Sequence, residues 1–190
     1  VGVVGGLRSI TIRLMESLVR NGFETAYASN LDEACSWVLR WARGWGAKDF
    51  LIGGLGGKVG KAIRELLGEV GRIGEWDELT EAGWIDKLRE EGLGVFRARL
   101  GIVETGGLVV LDKQSNLASL IPRFSVGILG EGEIVENYED LSDTLRSGNV
   151  EGLVIISGPS GTSDIELTHV KGVHGPVEMG CVVSRFDPDE

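Results

Sequence analysis

Cysteine is scarce in this chain: among its 190 residues only Cys35 and Cys181 carry thiols. Two are too few for a four-thiolate iron–sulfur cluster or a disulfide framework, and both read as buried thiols. Long apolar runs are missing as well. No stretch approaches the roughly 20 residues of a membrane span, and the opening VGVVGGLRSITIRL has neither the basic start nor the long apolar stretch of a secretory signal. The expectation is a cytoplasmic protein with no membrane partner. Positive charge is short too, with 19 Lys and Arg against 29 Asp and Glu, a net −10. With no sustained basic run, this argues against a nucleic-acid partner. Only four prolines stand beside thirty glycines, a balance that predicts many tight turns between short elements. The length suits one domain over residues 1–190 with a core of its own.

What is present alternates between helical and strand patterns. Ile12, Leu14, Met15, Leu18 and Val19 fit one face of a helix from Ser9 to Asn21, with Gly22 as its terminator. Phe23 to Ala28 reads as a strand, and Ser29 or Asn30 caps a helix from Leu31 to Arg43. Phe50 to Ile52 is a third apolar strand that enters the glycine-rich loop Gly53–Gly60, before a helix over Lys61 to Leu67. That loop, GGLGGKVG, matches neither the P-loop, since Val59 follows Gly57-Lys58, nor the dinucleotide fingerprint, which needs a further glycine. Anion binding and a plain turn are both open there. Trp76 to Glu90 has helical spacing, Val95 to Leu100 alternates, Leu117 to Ile121 is a short helix or turn, Ser125 to Leu129 a strand and Tyr138 to Ser147 a helix. These alternations predict a three-layer Rossmann-like α/β fold with a mostly parallel sheet and antiparallel pairing near Glu104 and Pro176.

The stretch Glu151 to Pro176 carries the densest chemistry. Leu153 to Ile156 is a short apolar run that suits a central strand buried on both faces. Gly158, Pro159 and Gly161 then break it among hydroxyls, and Ser163-x-x-Glu166 has the spacing of a helix capping box. A strand, a turn and a helix start would aim amides and hydroxyls at one point that favours an anion, whether a small carboxylate or a phosphate-bearing ligand; an ordinary strand-to-helix turn is the alternative. Upstream, Glu104 sits in a glycine turn between apolar strands, where desolvation could tune it as base or nucleophile; capping of backbone amides is the alternative. His174, in a Gly-His-Gly turn, suits ligand contact or proton transfer near neutral pH. His169 and His174 lack the spacing of a zinc helix, so no metal site is read. Ser160, His174 and Asp164 lack the nucleophile elbow of a hydrolase triad.

Two segments also carry a family resemblance. GPSGTSDIELTHVKGVHGP, from Gly158 to Pro176, resembles the signature of the LUD-domain family, lactate utilization protein C group, close to GPS-R-T-A-D-I-E…GVHGP. Glu104-Thr105-Gly106-Gly107-Leu108-Val109-Val110-Leu111 is similar to that family's A-[DE]-T-G-T-[LV]-V-L segment, and Leu120-Ile121-Pro122 resembles its L-L-P. The chain departs at Gly161, where the family has Arg, and at Gly107, where it has Thr. The resemblance implies a NagB/RpiA/CoA-transferase-like fold with a cleft at the carboxyl ends of the strands. It implies a part in lactate oxidation to pyruvate beside iron–sulfur partner proteins, with homo-oligomers open and the cofactor unknown. Glu104 and His174 are the implied catalytic candidates; Thr105, Gly106, Gly158, Ser160, Thr162, Asp164 and Gly175 are the implied ligand-binding ones. ETGG also looks like the E-N-G segment of CoA transferases, whose Glu is the nucleophile. A stand-alone CoA-ester or sugar-phosphate enzyme and a non-catalytic adaptor remain the alternatives.

Overall fold

The computed structural model describes residues 7–74, 83–141, 151–159, 161–163, 169–171 and 175–190. In chain order its elements are α1 (Ser9–Arg20), β1 (Phe23–Ala28), α2 (Leu31–Gly44), β2 (Asp49–Gly53), α3 (Gly57–Gly68), β3 (Arg72–Ile73), α4 (Trp84–Glu91), β4 (Gly92–Ala98), β5 (Leu100–Ile102), β6 (Gly107–Val110), α5 (Lys113–Leu120), β7 (Phe124–Gly130), β8 (Ile134–Val135), β9 (Val154–Ile156), β10 (Gly161–Ser163), β11 (His169–Lys171) and β12 (Glu178–Ser184).

Six strands build a wholly parallel sheet in the order β1-β12-β7-β4-β2-β3. Its middle strands read as buried runs because helices cover both faces. Alternation along each strand sends residues to two cores. Phe50, Ile52, Leu93 and Val95 meet Val38, Trp41, Ile63 and Leu67 of α2 and α3. Leu51, Phe96 and Ala98 meet Leu14 and Leu18 of α1, Trp84 and Leu88 of α4 and Ala118 of α5. Local signals set the helix starts: Asn30 accepts the Glu33 N–H at 2.9 Å to cap α2, and Asp112 accepts the Ser115 N–H at 2.7 Å to cap α5.

A second sheet, β8-β5-β6-β9, lies over the face that α1 covers. Leu108, Val110, Val154 and Ile156 point toward the main sheet, whereas Leu100, Ile102, Val109 and Ile155 form a small outer core with Leu141. The antiparallel pairing expected at Glu104 is present between β5 and β6; near Pro176 the chain instead enters β12, parallel to both neighbours.

Several expectations are corrected. Val154–Ile156 is not a central strand: it is the half-buried edge partner of β6, and Leu153 is 45% exposed. The centre belongs to β7 and β4, whose glycines, serine and arginine interrupt their apolar runs. A run of β-branched residues specifies a strand, and pairing with distant partners decides which sheet receives it. Gly161–Ser163 forms a strand that pairs antiparallel with His169–Lys171, and the helix expected after Ser163 falls on residues 164–168, outside the described residues. α3 begins at Gly57, inside the glycine loop, and α5 begins at Lys113, ahead of the expected Leu117. Tyr138–Asp140 bends and turns into a helical Leu141, and residues 142–147 of the helix expected there, like the first half of the one expected from Trp76, lie outside the described residues.

Candidate functional site

The two motif segments meet because β6 and β9 pair antiparallel, Leu108 opposite Ile156. This sets the start of β6 beside the end of β9, so Gly107 faces Ile155 and Ser157. Both turns then close on the end of α1. Asn21 Nδ2 donates to the carbonyl oxygens of Thr105 at 2.6 Å and Gly106 at 3.0 Å. The turn is closed by the Gly106 N–H donating to Ile102 O at 2.9 Å. Gly106 has φ +61°, and a Cβ there would lie 2.6 Å from Ser17 O; at Gly158, φ +141°, a Cβ would overlap the Asn21 carbonyl oxygen. Both positions therefore require glycine. Asn21 itself precedes Gly22 and β1, so the junction lies at the amino edge of the main sheet. Gly175 leads into β12 at that same edge, where Met179 pairs with Phe23.

The sequence-based candidates fall as follows. Thr105, Gly106 and Gly158 come together around Asn21. The Thr105 Oγ1 is buried with no partner among the described residues, which costs about 1–3 kcal/mol. Glu104 is on the same turn and exposed, its N–H donating to Glu136 O at 2.9 Å. Thr162 lies in β10. Ser160, Asp164 and His174 lie outside the described residues. Asn21 was missed by sequence reasoning; its signal was Asn-Gly at a helix end, which reads only as a terminator until the turn beneath it is known.

A second cluster, also missed, occupies the carboxyl edge. Arg97 of β4 is fully buried. Its Nη1 and Nη2 donate to Glu133 at 2.8 and 2.6 Å, and its Nε and Nη2 to Asp189 at 3.0 and 3.2 Å. Arg99 Nη1 reaches the same Asp189 carboxylate. Burial alone would raise the Asp189 carboxyl, but Arg97 and Arg99 outweigh it and hold the group below its ordinary range. A folded-state value below the unfolded one contributes stability that is full above about pH 4 and lost as pH falls further. The melting-temperature gap between the native chain and Asp189→Asn is therefore expected to stay constant from about pH 5 to 8 and to close in acid, as followed by circular dichroism.

The cysteines lie on opposite faces of the main sheet, Cys35 against the α2–α3 core and Cys181 in the α1 core. Burial pushes the Cys181 thiol up to about 12, which makes it a poor nucleophile. Among the described residues no group of three or more His, Cys, Asp or Glu is arranged to hold a metal, and no helix is long and apolar enough to cross a membrane.

Residues 12–183 match the LUD domain family. The chain belongs to that family. Among curated relatives, this LUD-domain chain is 36% identical over 111 residues to the uncharacterized protein YkgG of Escherichia coli, covering 54% of this chain and 48% of that one. It is 28% identical over 119 residues to lactate utilization protein C of Bacillus subtilis, covering 58% and 50%. It is 36% identical over 89 residues to lactate utilization protein C of Deinococcus radiodurans, covering 44% and 42%. The match thus spans about half the length of these relatives. A crystal structure of a DUF162 family protein from Deinococcus radiodurans superposes with a TM-score of 0.60 over 92% of this chain and 96% of that one, at 17% identity, and shares the fold.

Proposed function

We propose that this LUD-domain chain serves lactate utilization as a binding subunit. On this reading it holds a small carboxylate of the lactate and pyruvate class at the Asn21 junction and works beside iron–sulfur proteins that carry the redox centre. The observation that supports it most is the convergence of two distant motif segments on one asparagine, Asn21 Nδ2 on Thr105 O and Gly106 O and the Asn21 carbonyl against Gly158, next to a buried, unpartnered Thr105 hydroxyl. The names of the relatives from Bacillus subtilis and Deinococcus radiodurans supply the pathway. Two thiols on opposite faces of a sheet cannot ligate a four-thiolate cluster, in keeping with a redox centre held outside these residues.

The test is thermal stabilisation by lactate, pyruvate, sugar phosphates, CoA esters and nucleotides, on the native chain and on Thr105→Val and Glu104→Gln. Lactate or pyruvate is expected to raise the melting temperature, by about 2.7 kcal/mol of stability at a hundred times Kd. Thr105→Val is expected to abolish that shift without destabilising the free protein, because it deletes a hydroxyl that has no partner to lose. A shift with CoA esters that Glu104→Gln removes would favour the transferase-like enzyme instead. No shift with any ligand would overturn the binding reading.

A further inference from the structure

The carboxyl edge holds a feature that the motif junction does not use. β4 is buried at every position, and in such a strand a charged side chain is expensive: a buried ion pair is commonly matched or bettered in stability by apolar residues. Arg97 nonetheless stands there, fully buried and permanently charged. Its guanidinium presents one fork to Glu133 and another to Asp189. The second fork, Nε to Oδ1 and Nη2 to Oδ2, is the planar two-point geometry by which arginine reads any carboxylate. Arg99 Nη1 reaches the Oδ2 of the same carboxylate.

The two carboxylates differ in how they are held. Glu133 belongs to the 3-10 turn Glu131–Glu133 and also accepts the Gly130 N–H at 3.0 Å. Asp189 belongs to a segment with neither helix nor strand, and its side chain is 40% exposed. That segment touches one further element of note: the Glu190 carbonyl oxygen accepts the Lys58 N–H at 2.8 Å at the start of α3, which has no side-chain cap. Beside it lies a cavity of about 300 Å³ lined by Gly130–Glu133 and Arg185–Pro188. Its size is at the lower end for small-molecule clefts, about 300 Å³ upward. If Asp189 swings out, Arg97 and Arg99 keep Glu133 as their one remaining carboxylate partner around a guanidinium already fixed in place, while the cavity beside them brings Arg185 together with Glu131 and Asp187.

We propose that Arg97, Arg99 and the Lys58 amide form a second anion site, for a small carboxylate, and that Asp189 with Glu190 occupies it in cis as a displaceable stand-in for that ligand. The fixed Arg97–Glu133 pair supplies the seat, and the adjoining cavity takes the rest of the ligand once the segment moves. This site is separate from the Asn21 junction and does not depend on it.

Titration calorimetry with malonate and with inorganic phosphate tests this on the full chain, using the native protein, Asp189→Ala, and Asp189→Ala combined with Arg97→Lys. Removing the cis carboxylate is expected to tighten malonate binding at least tenfold, and Arg97→Lys to cancel the gain, because an ammonium cannot make the fork. Thr105→Val should leave the gain unchanged, which separates this site from the junction. Should Asp189→Ala not fold, Asp189→Asn keeps the shape and removes the charge, and is read in the same way. The proposal is overturned if neither variant binds malonate more tightly than the native chain, if the gain survives Arg97→Lys, or if the variant melts lower and malonate does not restore it. Tighter binding of phosphate than of malonate would overturn the assignment to a carboxylate.

Discussion

Glu133→Gln combined with Asp189→Asn is expected to lower the unfolding free energy by about 3–5 kcal/mol, the loss typical of stranding a buried charge. Arg97→Met is expected to cost clearly less, although it removes the same ion pairs. The asymmetry follows from burial. Arg97 is fully buried and cannot shed its proton, so without its carboxylates it keeps an uncompensated charge in the sheet. Glu133 and Asp189 have side chains 30% and 40% exposed, so without Arg97 they can turn to water. Asp189 would also keep Arg99. Urea denaturation of the three proteins checks the order, and equal losses would mean that the guanidinium is better solvated than its burial indicates.

Gly106→Ala and Gly158→Ala are the next largest expected losses, about 2–4 kcal/mol each. Each adds left-handed backbone strain to overpacking against α1. At Gly106 the new methyl meets Ser17 O and Asn21 Nδ2, and at Gly158 it meets the Asn21 carbonyl. The two substitutions press on the same helix end from opposite turns, so their effects are expected not to add. A double-mutant cycle by chemical denaturation measures the coupling, and neighbours sharing a backbone shift typically couple by about 0.5–3 kcal/mol. Strict additivity would show that the two turns are independent and that the junction is not one structural unit.

Local patterns made much of the main sheet legible. Helix α1 with its Gly22 terminator, the Asn30 cap of α2, and strands β1, β2, β7 and β12 follow from periodicity and capping that neighbouring residues decide. What escaped was decided by distant partners. The run at Val154–Ile156 pairs with β6, forty-four to forty-eight residues earlier, and so joins the smaller sheet. Gly161–Ser163 pairs with His169–Lys171 despite a sequence that reads as a helix cap. At the candidate site the glycines were legible as turn residues, because φ above zero leaves few alternatives. Asn21, which ties them, was not, since its partners are carbonyl oxygens eighty-four and eighty-five residues on. Arg97 looked like one more alternating charge until burial and the return of Asp189 gave it partners ninety-two residues away.

On the proposed function, a small carboxylate binds at the Asn21 junction. Two-dimensional ¹⁵N–¹H spectra during titration with lactate and then pyruvate test this residue by residue. Binding at the junction is expected to give saturable shifts concentrated at the amides of Asn21, Gly22, Thr105, Gly106, Gly107 and Gly158, lost in Thr105→Val. Shifts confined to Arg97, Arg99 and Asp189, or no saturable shift at any amide, would contradict it.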